Sequence, residues 1–471
     1  MWVGIPQVVL NVVSLFVIGY IADTLGPEDY GRFVFAFSVA SLFCFLFSAG
    51  LRAVTVKDII VNQNNTATIL ERMIALRFFM ACLGYIVLMT IVHLLGYPDA
   101  TITVVAIAGL TLLPQSVVST YHDLFQALEK MKYTAYSFFI SGVFVTAGSM
   151  VIIFMGYRLI ALTVVYALGS MMLLGAVIFF RRFTLFPSVR IKIDLSFWKE
   201  NLRKGFPFFL AGGLSNLNGG TLLLSKMATA ASLGYYGAAG GLIDRLMVIP
   251  DSVGTAIFPT IASLYAHKSK ETTPLFERFF QYMVVMGVPI AVGTMLLSDE
   301  IIMLIYGGKY GASALTLRIL CWVIPTLFLV TLNEYTLGAI NRQHEVIKVA
   351  TTATVVNLVM CFFLIPYFQE NGAAIAEVTS YFLWAVITLV LLCRSLALYP
   401  KISFFLKVGA ANCLMGLIVV VLKKYNIFFT IIVSACSYGV MLIVLGVVSG
   451  KDWELIRGRL NWPPKKDAVA E

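Results

Sequence analysis

Three cationic residues lie in or beside long apolar runs, where a charge is costly and therefore indicates a function. Arg245 lies about ten residues into one run, in GGLIDRLMVIP, while Lys226 ends another run and Arg52 closes a third. At membrane depth, an ammonium or guanidinium group can replace the hydration of a phosphate by charge-assisted hydrogen bonds. We therefore take Arg245, Lys226 and Arg52 as candidate ligands for an anionic substrate.

Each of these cations also has a simpler interpretation. Arg245 could pair with Asp244 or Asp251 across helices, although neighbouring residues on one helix do not face each other. Lys226 could extend to the lipid headgroups. Arg52 could be one of the basic anchors that membrane proteins place on the cytoplasmic side.

Three carboxylates, Asp251, Glu334 and Glu377, also lie in or near apolar runs. A carboxylate in a low-dielectric cavity binds a proton more tightly than in water, so it can exchange that proton for a metal cation. Glu334 and Asp251 are therefore candidate ion-coupling residues, and a structural pairing is the alternative. The histidines and cysteines have no metal-ligand spacing, so we expect no metal, cofactor or catalytic residue.

The elements that position these residues are membrane helices, because the composition excludes a soluble domain. Of the 471 residues, 60% are hydrophobic and 12% charged, and the mean hydropathy is +0.90. The net charge of +10 does not indicate nucleic-acid binding, because the basic residues lie in short loops between apolar runs. The sequence contains no G-x-x-x-x-G-K-[ST] motif and no pattern typical of a cleavable signal peptide.

Apolar runs long enough to cross a bilayer predict an all-α integral membrane protein of about 14 transmembrane helices. The runs lie at roughly 2–23, 32–51, 73–95, 100–120, 134–156, 159–180, 205–225, 235–265, 279–298, 312–339, 349–367, 372–393, 403–422 and 426–449. The loops on one side, which include 52–77, 121–133 and the tail 451–471, carry 26 of the 34 Lys and Arg residues. This bias predicts that both termini are cytoplasmic.

The two halves of the chain match at an offset of about 210 residues. The segment 126–148 (QALEKMKYTAYSFFISGVFVTAG) parallels 338–360 (GAINRQHEVIKVATTATVVNLVM), and LGPEDYG (25–31) parallels LGYYG (233–237). The match predicts two six-helix lobes of the same topology, related by a pseudo-twofold repeat. Such lobes are typical of secondary transporters with a substrate path between them.

The repeat divides the chain into four predicted domains. They are the first lobe (1–180), a basic cytoplasmic linker (181–204), the second lobe (205–393), and two additional helices with a cytoplasmic tail (394–471). The linker is either a helix lying in the cytoplasmic interface or an ordinary charged segment.

Four stretches carry a family resemblance. They are IADTLGPEDYGRFVFAFSVASL (21–42), LGYYGAAGGLIDRLMVIPDSVGTAIFPTIASLYA (233–266), IIMLIYGGKYGASALTLRILCWVIPTLF (301–328) and INRQHEVIKVATTATVVNLVMCFFLIPYFQENGAAIAEVTSYF (340–382). In this order and spacing they resemble the oligosaccharide flippase family (polysaccharide transporter, Wzx-like). Its superfamily also contains the MATE drug exporters and the lipid II flippases.

The resemblance implies an oligosaccharide linked to an undecaprenyl-type diphosphate as cargo. It would move from the cytoplasmic to the outer leaflet of the inner (plasma) membrane by alternating access, for a surface polysaccharide such as the lipopolysaccharide O-antigen. The implied partners are membrane lipids and, in the assembly pathway, a polysaccharide polymerase and glycosyltransferases. The segment around Arg245 resembles the lipid II flippase helix that carries a cavity arginine.

Two other transporters stay open as alternatives: a cation-coupled MATE-like exporter of small molecules, working as an antiporter, and a lipid II flippase. A membrane enzyme such as a polymerase fits less well, because its chemistry needs a sizeable exported loop. The longest outer loop here, near 299–312, carries few groups that could react.

Overall fold

The chain is folded almost entirely into α-helices. The computed structural model describes residues 4–48, 50–184, 192–215, 219–267, 269, 271–396 and 402–447, and these ranges contain no β-strand. The predicted all-α fold is thereby confirmed. The tail over 451–471 and the centre of the basic linker, 185–191, lie outside the described residues.

Nineteen α-helices can be numbered in the described ranges. The first ten are α1 (Gly4–Leu25), α2 (Pro27–Ser48), α3 (Leu51–Val61), α4 (Thr66–Leu94), α5 (Asp99–Gly109), α6 (Leu112–Ala127), α7 (Lys132–Phe154), α8 (Leu159–Arg181), α9 (Leu195–Ser215) and α10 (Gly219–Met227). The others are α11 (Ala230–Asp244), α12 (Val248–Ala266), α13 (Thr272–Leu296), α14 (Ser298–Tyr306), α15 (Ser313–Leu320), α16 (Val323–Ala339), α17 (Gln343–Leu396), α18 (Ile402–Leu422) and α19 (Ile427–Val444).

Ten helical segments of the described chain are long and apolar enough to cross a membrane. One of them, α17, has 54 residues and contains Pro366 and a residue with non-helical backbone angles, Gln369 (φ 49°). Proline removes a helical hydrogen bond and kinks the helix. The predicted runs 349–367 and 372–393 lie on either side of this kink. The predicted total of 14 transmembrane helices stays a prediction.

Two segments that the sequence predicts as cytoplasmic loops are mostly helical in the structure. Residues 52–77 form most of α3 and the first turns of α4, and 121–127 complete α6. The charges in these segments are spaced so that apolar residues still share one helix face, and Ile59, Leu70 and Met73 pack into a buried cluster. Similarly, α9 runs without a break across residue 204, where the linker was predicted to end.

The described chain divides into two compact units. Unit 1 comprises residues 1–238, 303–313 and 350–376, and unit 2 comprises 239–302, 314–349 and 377–471. In unit 1, α4 packs on α6, α2 packs on α5, and α7 packs on α8. In unit 2, α16 packs on α12 and α13, and α18 packs on α13 and α19. The predicted limits of the two lobes stay a prediction.

The repeat-related segments form the same helix end. Glu129 after α6 and Asn341 after α16 both have a left-handed backbone, with φ of 57° and 61°. The amides of Lys130 and Arg342 each donate to the carbonyl five residues earlier, at 2.8 Å. Both ends therefore have the hydrogen-bond pattern of a Schellman motif. Here the predicted repeat corresponds to a repeated local structure.

Helices α2 and α11, which carry the second pair of matching segments, contact each other reciprocally within unit 1. A side chain at Gly31 would overlap the carbonyl oxygen of Ala230, and one at Gly234 would overlap that of Pro27. Gly31 thus faces Ala230, four residues before Gly234, and Gly234 faces Pro27, four residues before Gly31. Reciprocal contacts of this kind are what a local twofold axis produces.

Candidate functional site

Arg52 lies in the first turn of α3, where 64% of its side chain is exposed. Its Nε and Nη2 atoms donate to Oε1 of Gln126, at 3.1 and 2.8 Å. Its Nε also lies 3.9 Å from Oδ1 of Asp123. In the described part of the chain Nη1 has no hydrogen-bond acceptor, so one edge of the guanidinium is available to an anion.

Beneath Arg52, a second arginine is completely buried. Arg77, on α4, donates from Nη2 to Oδ2 of Asp123 at 2.6 Å and to Oγ1 of Thr55 at 3.1 Å. Its Nη1 donates to Oγ of Ser119 at 3.1 Å. One guanidinium therefore joins α3, α4 and α6, and the carboxylate that it holds is the one beside Arg52.

The sequence analysis missed Arg77 because it assigned the residue to a basic loop. A signal was nevertheless present: apart from this arginine, MIALRFFMACLGYIVLM (73–89) has no charged residue. The rule that selected Arg245, a cation embedded in an apolar run, applies equally to Arg77. Its carboxylate partner, by contrast, cannot be identified without the packing of α4 on α6.

Lys226 lies at the end of α10 and is exposed. Its Nζ lies 3.6 Å from the centroid of the Tyr97 ring and donates to the carbonyl of Leu95. The Tyr97 hydroxyl is in turn 2.9 Å from Oγ of Ser225. This is the arrangement of an interfacial anchor, with a cation–π contact to hold the ammonium group. A role for Lys226 in substrate binding stays a prediction.

Arg52 and Lys226 do not share a pocket within unit 1. Arg52 lies beside the partner of Arg77, near the start of α4, whereas Lys226 contacts Leu95, just beyond the end of α4. The 18 residues from Arg77 to Leu95 correspond to about 27 Å along a helix. The two cations are therefore too far apart to bind the same small anionic group at once.

Arg245 lies in unit 2, in a 3₁₀ turn between α11 and α12, and is half-buried. Its Nη1 donates to the carbonyl of Gly241 at 2.5 Å. The neighbouring carboxylate of Asp244 interacts with it electrostatically. Among the described residues, however, no carboxylate lies within the 4 Å of an ion pair, so the guanidinium keeps donors for another anion.

The predicted ion-coupling acids are both half-buried in unit 2, Asp251 on α12 and Glu334 on α16. They are close enough to repel each other electrostatically. The hydroxyl of Tyr381, on α17, lies in the field of Glu334, Glu377 and Asp244. Four helices, α11, α12, α16 and α17, thus contribute carboxylates to one region. Within the described ranges, no three His, Cys, Asp or Glu side chains are close enough to hold a metal ion.

The family follows from a comparison of the whole sequence. The profile of a family described as "Polysaccharide biosynthesis protein" matches residues 1–265, more than half of the chain. The chain belongs to the polysaccharide biosynthesis protein family. A second profile, "Lipid II flippase MurJ", matches residues 245–449 of this polysaccharide biosynthesis protein. The resemblance inferred from four sequence stretches is thereby confirmed.

Two curated relatives of this chain are named as a probable flippase and as a capsular polysaccharide biosynthesis protein. The chain is 23% identical over 243 residues to the "Probable flippase AglR" of Haloferax volcanii, which covers 48% of this chain and 49% of that one. The chain therefore spans about half the length of AglR. It is also 23% identical over 393 residues to the "Capsular polysaccharide biosynthesis protein CapF" of Staphylococcus aureus, which covers 79% of this chain and 93% of CapF.

Solved structures show the same fold. The lipid II flippase MurJ in an inward closed conformation superimposes with a TM-score of 0.78, covering 94% of this chain and 98% of MurJ at 15% identity. An inward-facing MATE-family transporter gives a TM-score of 0.65, covering 82% and 94% at 11% identity. At these identities the likeness establishes the multi-span all-α fold alone.

Proposed function

We propose that this protein is a flippase that moves a polyprenyl-diphosphate-linked oligosaccharide from the cytoplasmic to the outer leaflet by alternating access. The match of the polysaccharide biosynthesis family over residues 1–265 carries the proposal. The name of AglR and a further match to the "Putative O-antigen transporter" of Escherichia coli point the same way. The protein transports its cargo and performs no enzymatic step on it.

The arginines are the groups that recognise the diphosphate in this proposal. Arg52 is exposed, is held in place by Gln126, and keeps a free edge. Arg245 is half-buried in an apolar segment and makes no ion pair with the described residues. A diphosphate crossing the hydrocarbon needs such donors, because a bare anion would lose many kcal/mol of hydration. Lys226 receives the headgroup at the opposite end of unit 1 from Arg52.

Glu334 and Asp251 couple the movement to an ion gradient. Two carboxylates that repel each other in a low-dielectric region are relieved by a proton or a metal cation. Binding of that ion in one conformation and its release in the other would give the transport cycle a direction. The protein lies in the inner (plasma) membrane with both termini in the cytoplasm, as the loop charges predict. It supplies a polysaccharide polymerase with the glycans that glycosyltransferases build.

The test compares a strain that lacks the gene with the same strain carrying wild-type protein, Arg245→Ala or Lys424→Ala. Without the protein, we expect a lipid-linked oligosaccharide to accumulate and the surface polysaccharide to disappear. Arg245→Ala should insert normally and fail to restore the polysaccharide. Lys424→Ala, which removes an exposed cation outside the proposed path, should restore it. Normal surface glycan in the deletion strain would refute the flippase function, and full rescue by Arg245→Ala would refute only the role of Arg245.

Two other functions have specific support. The MurJ profile over residues 245–449 favours a lipid II flippase, and the carboxylates around Tyr381 favour a MATE-like exporter of cationic compounds. Lipid analysis of the deletion strain separates the three. Accumulated lipid II indicates the first alternative, and an unchanged lipid pool with increased sensitivity to cationic drugs indicates the second.

A further inference from the structure

A cavity of about 500 Å³ opens between the starts of α2, α5 and α8 in unit 1. The charged and polar lining residues are Asp29, Arg32, Tyr157 and Arg158, and the apolar ones include Ala100, Val104 and Ile160. Its volume lies within the range of small-molecule sites, roughly 300–1,000 Å³. None of these residues belongs to the flipping path proposed above.

The two arginines of this cavity differ in whether their guanidinium groups are free to bind an anion. Arg32 is already neutralised, because its Nη2 donates to Glu28 at 2.5 Å and its Nη1 to Asp29 at 2.8 Å. Arg158 is exposed, and its guanidinium makes no hydrogen bond or ion pair with any described residue. An incoming anion would therefore bind at Arg158, and a phosphate is the group that a guanidinium recognises best.

The surroundings of Arg158 indicate that the ligand comes from the lipid phase. Phe154, Met155 and Ile160, which flank it, are 74%, 66% and 54% exposed. Large apolar side chains with this exposure face hydrocarbon in a membrane protein, and Tyr157, at 59%, is typical of the interfacial belt. A phosphate bound to Arg158 could therefore keep an attached acyl chain against Ala100 and Ile160, which are both exposed.

The charges at the cavity select among phospholipids. Asp29 lines the cavity with Arg32 and Arg158, and Glu28 lies against Arg32, so these four side chains together carry no net charge. A headgroup with only negative charge would be repelled by the two acids. A zwitterionic headgroup with a primary ammonium matches both signs, since its phosphate can bind Arg158 while its N–H groups donate to Asp29, which lines the cavity.

We propose that this cavity binds the headgroup of an aminophospholipid such as phosphatidylethanolamine, with its phosphate on Arg158 and its ammonium near Asp29. The bound lipid is distinct from the cargo, so the inference does not depend on the proposed function. Phosphatidylcholine has the same charges but no N–H donor on its amine, and it therefore should bind more weakly.

The test measures lipids retained by the purified protein after equilibration in nanodiscs that contain equal amounts of phosphatidylethanolamine, phosphatidylcholine and phosphatidylglycerol. Native mass spectrometry should detect one phosphatidylethanolamine retained in preference to the other two. Arg158→Ala should lower this retention at least about fivefold, the size expected for losing one charge-assisted contact. Lys424→Ala removes an exposed cation elsewhere and should leave the retention unchanged.

A second variant keeps the test decisive if Arg158→Ala does not fold. Ala100→Trp fills the cavity without removing a charge, and it should also abolish the preferential retention. Equal retention of the three lipids by wild type, a preference for phosphatidylglycerol, or full retention of phosphatidylethanolamine by a folded Arg158→Ala or Ala100→Trp protein would each overturn the proposal.

Discussion

The Nη2 atom of Arg77 lies 2.6 Å from Oδ2 of Asp123, and both side chains are buried, with exposures of 0% and 3%. Met73 on α4 and Leu124 on α6, the helices that carry the pair, belong to a buried apolar cluster. Removing one partner leaves an uncompensated charge in the core. Asp123→Ala should therefore lower the free energy of unfolding by about 3–5 kcal/mol, measured as a fall in the thermal midpoint of the detergent-solubilised protein.

The control for this prediction is an exposed ion pair on α9. Lys204 Nζ lies 2.7 Å from Oε1 of Glu200, and about half of each side chain or more is in contact with solvent. Lys204→Ala should leave the thermal midpoint unchanged within error, because exposed pairs of this kind contribute little. A midpoint for Asp123→Ala as high as that of Lys204→Ala would mean that the buried pair is not a stabilising element.

The reciprocal contact of α2 and α11 predicts that a single methyl group added at either contact glycine destabilises the protein. Gly31→Ala and Gly234→Ala should each destabilise the protein by about 1–3 kcal/mol, because the new Cβ overlaps a backbone carbonyl and the helices must separate. Gly240→Ala is the matched control on α11, since no atom lies within 4 Å of its added Cβ. It should be neutral or slightly stabilising. Equal thermal midpoints for the three variants would contradict the close crossing.

Much of the fold follows from hydropathy alone, because lipid requires long apolar helices whose backbone hydrogen bonds are satisfied internally. The kink at Gln369 could be placed because Pro366 and a polar segment interrupt the apolar run. The repeat could be detected because α6 and α16 end in the same way, at a left-handed Glu129 and a left-handed Asn341. Two helix ends of the same geometry need similar residues around them. The left-handed backbone itself was not predicted, since neither residue is a glycine.

The candidate site was less predictable, because a charge in a sequence does not reveal its partner. Arg245 and Arg77 are both cations within apolar runs. Only packing shows that Arg77 is neutralised by Asp123 while Arg245 contacts a backbone carbonyl. For Lys226 the sequence left two interpretations open, a substrate ligand and an extension to the headgroups, and its contact with Tyr97 joins segments about 130 positions apart in the chain. Such contacts are set by tertiary structure and leave no local pattern.

The start of α9 should depend on pH through Asp194. Its Oδ1 accepts hydrogen bonds from Oγ of Ser196 at 2.7 Å and from the amide of Phe197 at 3.1 Å, and Arg72 lies 3.2 Å from its Oδ2. The bond from Ser196, then that from Phe197, holds the pKa of Asp194 below its usual value. A carboxyl whose pKa is lowered by folding stabilises the folded state above its unfolded pKa, about 3.9, and loses that effect as the pH falls through its folded pKa.

Hydrogen exchange of the amides in 195–206, corrected for intrinsic rates, measures this effect. Asp194→Ala should exchange faster than wild type at pH 7 and at pH 5, and the two proteins should converge below about pH 4. Asp194→Asn keeps a capping oxygen and removes the charge, so at neutral pH it should exchange at a rate between wild type and Asp194→Ala and should change little with pH. A difference between wild type and Asp194→Ala that persists unchanged at the lowest pH would show that the charge is not involved.

The ion coupling proposed for Glu334 and Asp251 can be tested directly, because these two carboxylates of unit 2 lie close enough to repel each other. Glu334→Gln keeps the shape of the side chain and removes its charge. In vesicles with an imposed proton or sodium gradient, it should reduce gradient-driven transport at least about tenfold while leaving gradient-independent equilibration intact, as expected for a relay carboxylate. Glu277→Gln, which neutralises another half-buried acid of unit 2, on α13, should retain the response to the gradient. If Glu334→Gln responds to the gradient as Glu277→Gln does, the carboxylates of α12 and α16 stabilise the helix packing and do not couple an ion.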